Sequence, residues 1–259
     1  MEDSKKTASC PSDVEAQVAE LEQAHVMMSL VGFALSAEPE EQLVKSLVGE
    51  DLWHELPYGG ARRECVWGAD RLNRWQLKAR INSPADETTC LREEWFRSLA
   101  GPTVPLAPPW ESVYREAGNR LFTDSTREVR AAFRAHGLEF EKKNREPDDH
   151  IGLMLSFLAV LAGRKAEAVE AGDEETARSL QKDQADFIDN HVLTFVDEWA
   201  AAMAEKSDSD FYAGMALLAC GLVKERRAQL EEVLRGSDAA GVASAADGEC
   251  CEEAVSCAC

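Results

Sequence analysis

Apolar residues recur along this chain at helical spacing, and the helices they predict account for most of its length. Val18, Leu21, Met28, Val31 and Leu35 fall on one face of a 3.6-residue repeat, with Ser12 and Asp13 as candidate caps, and predict a first helix. Pro39 resets the chain, and a second helix is expected from about residue 40 to 47. The stretch "LPYGGARRECVWGAD" reads as a loop feeding a short helix through Trp75 and Leu77. In "SPADETTCLREEWFRSLAG", Ser83 caps, Pro84 suits the first turn, acids follow and Gly101 closes the helix. "DSTREVRAAFRAHG" offers Asp124 or Ser125 as cap, Val129 and Phe133 one turn apart, and Gly137 as a left-handed stop.

From Ile151 to Ala162 the chain is apolar almost all round, so this helix, capped by Asp148 or Asp149, belongs at the centre of a bundle. A further helix from about residue 174 to 205 carries Leu180, Phe187, Ile188, Val192, Phe195, Trp199 and Met203 on one face. A last one, from about 208 to 234, carries Phe211, Met215, Leu218 and Leu222. No alternating β-branched run bounded by turns occurs, so the expected fold is all-α, a single helical domain over residues 12–235. From Gly236 the composition turns to Ala, Gly, Ser, acids and cysteine without a basic residue. Such a segment buries too little apolar surface to offset its ordering, and residues 236–259 are expected to form a flexible tail.

Charge narrows the function. The 259 residues hold 48 acids against 28 lysines and arginines, a net charge of −20, which argues against nucleic acid as a partner and for a cationic one. The run from Ile151 is shorter than the roughly 20 residues a bilayer crossing needs, so no stable membrane insertion is expected. "MEDSKKTASCPSDVEAQ" lacks the apolar centre of a signal peptide, and a cytoplasmic location follows as an expectation. Arg62 and Arg63 sit mid-chain and read as solvated surface. Of the eight cysteines, Cys10, Cys65, Cys90 and Cys220 are scattered and expected to be thiols. Cys250, Cys251, Cys257 and Cys259 crowd the end. Thiolates suit soft metals, yet without a C-x-x-C pair or a histidine they are only weak metal candidates.

Catalytic chemistry finds little support. His150 beside Asp149 is the one tempting acid–base pair, His191 falls on an apolar stripe and reads as a core residue, and no nucleophile order, phosphate loop or zinc-hydrolase motif is present. Two other stretches stand out. In "APPWESVY", Pro108 and Pro109 fix two backbone angles and remove two amide donors, which pre-orders an extended segment beside Trp110. Trp110, with Trp95 and Leu99 at the end of the preceding helix, suits an aromatic groove for a peptide; equally, Trp110 and Tyr114 suit a loop anchored to the core, with Glu111 beginning a short helix. In "EPDDHI", Glu146, Asp148 and Asp149 precede His150 at a helix start. They suit an N-cap with a partly buried histidine, or an acidic site able to receive a guanidinium.

"PPWESVY", then "LFTDSTREVRAAFRAHGL", then "EPDDHIGLMLSFLAVLA" resemble the TorD/DmsD family of cytoplasmic chaperones that mature molybdenum-cofactor oxidoreductases; the likeness is close from about Trp95 to Ala162. The resemblance implies a TorD-like helical bundle without catalytic turnover and without a cofactor of its own. As partner it implies the twin-arginine leader of a molybdopterin oxidoreductase precursor, held back from export until its cofactor is installed. The site residues it implies are Trp95, Pro109, Trp110, Asp149 and His150, with Leu99 on an apolar position and Glu146 matching the motif's acid. In that reading Trp95, Leu99 and Trp110 take the leader's apolar part. Asp149, aided by Glu146 or Asp148, draws its arginines, while His150 orients a carboxylate or bonds the peptide backbone. The alternative partner is the folded catalytic subunit. Monomer and homodimer are both open. The segment from Pro57 to Thr89 and the cysteine tail fall outside the family's motifs.

Overall fold

The computed structural model describes residues 11–100, 105–116, 118, 120–140 and 146–246. Ten helices are present among them: α1 (Pro11–Ser36), α2 (Glu41–Gly49), α3 (Arg63–Ala79), α4 (Pro84–Trp95), α5 (Glu111–Arg115), α6 (Asp124–Ala135), α7 (Ile151–Glu170), α8 (Glu174–Asn190), α9 (Val196–Lys206) and α10 (Asp210–Ala246). A π-helical turn, Phe96–Ala100, extends α4, and a 3-10 turn, Val192–Thr194, separates α8 from α9. The fold is all-α. An isolated antiparallel bridge joins Trp110 and His150.

Two helices form the centre. α7 is the expected one, with Ile151, Met154, Leu155, Leu158, Ala159, Leu161 and Ala162 fully buried; α10 is the other, with Met215, Leu218, Leu222 and Val223 equally enclosed. α1 lies along α7 and α3 along α10, while α8 packs on both α7 and α10 and α9 on α10. Glycine sets both close approaches. A Cβ on Gly152 would stand 2.7 Å from the Gly32 carbonyl oxygen, and one on Gly68 would stand 2.8 Å from that of Gly214, so the backbones meet where no larger residue fits. Gly32-x-x-x-Ser36 and Gly152-x-x-x-Ser156 face one another, and each serine returns its hydroxyl to its own helix at 2.8 and 2.9 Å.

Several sequence expectations are corrected. α3 begins at Arg63, where a loop was expected. Its buried stripe of Cys65, Gly68, Ala69, Leu72, Trp75 and Ala79 is built mostly of small residues, which weakens its apolar signal. Gly59, at φ 75°, makes the turn ahead of it, and Arg62 pairs with Glu225 on α10 at 2.5 Å. The single helix expected over 174–205 breaks at His191 into α8 and α9, so that Val192 and Phe195 both turn into the core. Ser12 and Asp13 lie inside α1, and Thr123 precedes α6 in place of Asp124 or Ser125. Ser83 does cap α4, accepting from the Asp86 amide at 3.1 Å, and Gly137 adopts the expected left-handed angle at φ 69°. The backbone of α10 continues past Gly236 to Ala246, whereas Gly101, Cys10 and the four terminal cysteines lie outside the described residues.

Candidate functional site

The proline-rich segment is strapped down by its carbonyls and by the amides around its prolines. Leu106 donates its amide to the Arg97 carbonyl at 3.3 Å, and the Ala107 carbonyl accepts from Trp199 Nε1 of α9 at 3.2 Å. Pro108 and Pro109 have no amide to place, so the strand they pre-order bonds through Pro109 O, which accepts from Ile151 N at 2.8 Å. Two residues on, Glu111 N donates to the Asp149 carbonyl at 3.1 Å, closing the Trp110–His150 bridge. Extended backbone from two distant loops therefore meets at the N-terminus of α7.

Asp149 ties this knot. Fully buried, its carboxylate accepts from Ser112 N through Oδ2 and from Thr126 Oγ1 through Oδ1, both at 2.8 Å. It thus holds together the starts of α5, α6 and α7. Burial pushes its carboxyl above the usual range, against the pull of the hydrogen bonds from Ser112 and Thr126. Neither Asp149 nor Asp148 caps α7, as either was expected to. Asp148 is also buried and is engaged by Arg130, at 2.9 Å from Nε and 2.5 Å from Nη2. The cap is His150, whose Nδ1 accepts the Gly152 amide at 3.0 Å, which fixes that nitrogen as unprotonated.

The remaining expected residues divide by exposure. Trp110 is half-buried and stands edge-on to the His150 ring at 6.0 Å. Its indole Nε1 is buried with no hydrogen-bond partner. Trp95, also half-buried, donates Nε1 to the Leu35 carbonyl in the last turn of α1, at 3.2 Å. That turn also meets Gly152, since Ser36 would touch a Cβ there at 2.9 Å, so Trp95 and the Trp110–His150 bridge converge on the same end of α1. Leu99 is fully buried, because the π turn rotates it inward, and Phe96 is 44 % exposed beside Trp95 in its stead. Glu146 is exposed. Asp149 and Leu99 therefore lie beneath the surface as supports, and Trp95, Phe96, Trp110, His150 and Glu146 keep access to it.

Sequence reasoning missed a second buried knot. Glu111 is fully buried, accepts Arg115 Nη1 at 2.6 Å and takes His191 Nδ1 at 3.1 and 3.2 Å on its two oxygens. The break between α8 and α9 is what delivers His191 there, and no spacing in the chain signals a contact across so many residues. Tyr114 packs its ring on Phe195 at 5.5 Å, so this side of the segment is anchored to the core. As for metals, Glu64, Asp197 and Cys220 place ligand atoms within 4.8 Å of one another. Lys224 Nζ already sits 2.9 Å from Glu64 and 2.6 Å from Asp197, and burial pushes the Cys220 thiol up to about 12, so the cluster is an internal ion pair.

Comparison with known proteins identifies the family. The family model described as "Nitrate reductase delta subunit" matches residues 69–201, just over half of the chain. The chain is 31% identical over 128 residues to the probable Tat proofreading chaperone DmsD of Haemophilus influenzae, covering 49% of this chain and 56% of that one. It is 30% identical over 139 residues to the Tat proofreading chaperone DmsD of Salmonella typhi, covering 54% and 62%, and 31% identical over 129 residues to the chaperone protein TorD of Vibrio cholerae, covering 50% and 57%. The match thus spans 56% to 62% of the length of these curated relatives. The family match covers just over half of this all-helical chain, so the chain belongs to the nitrate reductase delta subunit family, and the curated relatives it matches are named TorD and DmsD.

Proposed function

We propose that this protein is a chaperone without catalytic turnover that binds the twin-arginine leader of a molybdopterin oxidoreductase precursor in the cytoplasm and holds it until the cofactor is in place. The observation that carries the reading is the Trp110 indole N–H, buried without a partner beside the bonded backbone of the Pro109–Trp110 strand. An unmet buried donor costs about 1–3 kcal/mol, and a peptide carbonyl reaching it recovers that cost. Trp95, Phe96 and Trp110 offer apolar and aromatic surface to the segment after the arginines. The arginines themselves are drawn by exposed acids such as Glu146 and by the field of a chain with net charge −20. Asp149 acts by position: it holds the Pro109–Trp110 strand against His150. The relatives named Tat proofreading chaperones suggest the ligand class. No helix among the described residues is long and apolar enough to cross a membrane.

The test is isothermal titration of the full chain with a twin-arginine leader peptide. Trp110→Ala is expected to weaken binding at least about tenfold while circular dichroism stays at the wild-type level. Higher salt weakens binding without abolishing it, because the apolar contact persists. Equal affinity of variant and wild type removes the assignment. A second reading, in which the chain grips the folded catalytic subunit, is favoured by one observation: α3 and the residues after it expose Trp67, Leu77 and Ile81, with Arg63 stacked over Trp67 at 4.9 Å. A pull-down comparing the isolated leader with the leaderless enzyme separates the two.

A further inference from the structure

Lys165 of α7 and Arg226 of α10 are each only 3 % exposed, yet neither pairs with a carboxylate among the described residues. Neutral amides and the Tyr58 hydroxyl, which lies against Arg226, surround them instead. Lys165 Nζ donates to Gln181 Oε1 at 2.9 Å, which leaves two of its N–H groups over. Arg226 Nε donates to Gln184 Oε1 at 2.9 Å, Nη1 reaches Gln229 Oε1 at 3.5 Å, and Nη2 is buried without a partner. Glu20, the carboxylate whose charge reaches both, is exposed and accepts Gln229 Nε2 at 2.6 Å. A chain with 48 acids has no shortage of countercharge, so two buried cations left to neutral groups mark a place where a negative group is missing.

Lys165 and Gln181 also line a cleft of about 240 Å³ between the first turns of α1, the second half of α7 and the first half of α8. Val14, Val169 and Ala177 supply apolar wall, and Arg178 stands at the rim, paired with Glu174 at 2.9 Å. The lining carries one more positive than negative group, and Arg226 adds its charge from behind. We propose that this cleft is a binding site for a small oxyanion, a phosphate or a carboxylate bearing a few apolar carbons, held by the Lys165 ammonium. The space is smaller than the pockets that take nucleotides or drug-sized ligands. The site is independent of the leader-binding surface.

Burial first, and the Arg226 charge second, lower Lys165 to about 8, with Glu20 opposing. The other charged groups around it are Glu174 and Arg178 of α8; Tyr58, bonded to Gln229 at 2.6 Å, is pushed up by burial and stays neutral. An arriving anion favours the ammonium, so binding at pH 8 takes up protons. The experiment is calorimetric titration of the full chain at pH 8 and fixed ionic strength set with sodium chloride, in Tris and in triethanolamine, with inorganic phosphate in one arm and butyrate in the other. Saturable binding of either, with proton uptake read from the difference between the two buffers, supports the site, and the responding arm names the source. Lys165→Met, close in volume and uncharged, is expected to weaken it at least about tenfold. No saturable heat in either arm, binding without proton uptake, or unchanged affinity in Lys165→Met overturns the proposal. Should Lys165→Met not fold, the wild-type proton uptake decides alone.

Discussion

Replacing Asp149 separates a supporting carboxylate from one that touches the ligand. Asp149→Ala deletes two hydrogen bonds of 2.8 Å and leaves the Ser112 amide, in a fully buried residue, without an acceptor. Hydrogen bonds to a charged group contribute about 1.5–3 kcal/mol each, and relief of the buried charge offsets part of that, so a net loss of about 2–4 kcal/mol is expected. Asp149→Asn keeps an oxygen for the Ser112 amide and turns an NH₂ toward the Thr126 hydroxyl, which can accept; its cost is expected within about 1 kcal/mol. Urea unfolding followed by circular dichroism reads both as shifts in midpoint at constant slope. The pH dependence carries a sign of its own. With the carboxyl raised in the folded state, the folded chain binds more protons than the unfolded one between the ordinary carboxyl range and the raised value. Stability therefore falls with rising pH across that window and is level above it, and Asp149→Asn lacks this slope. Leader titration completes the test, with Asp149→Asn binding as wild type and Asp149→Ala binding weakly. A loss in Asp149→Ala below about 0.5 kcal/mol refutes the knot. An Asp149→Asn chain as stable as wild type that no longer binds the leader refutes the positioning role and makes the carboxylate a direct contact.

Gly152→Ala places a methyl 2.7 Å from the Gly32 carbonyl oxygen and is expected to cost about 1–3 kcal/mol in the same urea assay; a neutral effect means that α1 and α7 do not meet this closely. Phe122 holds a left-handed angle, φ 59°, with its ring 48 % exposed, so Phe122→Gly is expected to stabilise the chain by about 0.5–1 kcal/mol, read as a raised Tm, and a lowered Tm contradicts that geometry. Burial pushes the thiols of Cys65 and Cys220 up to about 12, whereas Cys90 is exposed. Iodoacetamide at pH 8 is expected to modify Cys90 and spare the other two until denaturant is added; peptide mass mapping that finds Cys65 or Cys220 labelled in the folded chain sinks the burial argument.

How far the sequence carried differed by element, for physical reasons. α7 was legible because twelve residues of nearly unbroken apolar character, Ile151 to Ala162, have nowhere but a core to go. α3 was not, because its buried face is paved with Gly68, Ala69 and Ala79, whose contribution is closeness of backbone and not hydrophobicity. The break at His191 was hidden since Val192, Phe195 and Trp199 keep helical spacing across it; only the third dimension shows Glu111 waiting for the imidazole. At the candidate site the residue types were legible and their placement was not. "EPDDH" announces acids at a helix start, but whether a carboxylate faces solvent or a buried amide depends on Ser112 and Thr126, which reach it from two other segments. A π turn likewise leaves no mark in "EWFRSLA", yet it exchanges Leu99 for Phe96 at the surface.

The two surfaces that matter for the proposed function share one support. Trp95 is bonded to the last turn of α1, and the Trp110–His150 bridge is bonded to the first turn of α7, so the distance between them is set by how closely those helices lie. Gly32 and Gly152 set that distance, with no side chain between to adjust it. A ligand that bridges Trp95 and Trp110 therefore loads the α1–α7 contact itself, and leader binding and the stability of this helix pair are two readings of one interaction. Titrating the leader into Gly152→Ala tests the coupling. Affinity should fall even though Gly152 is buried away from any ligand, and an unchanged affinity in a folded but destabilised chain means that the two tryptophans do not act on the same peptide.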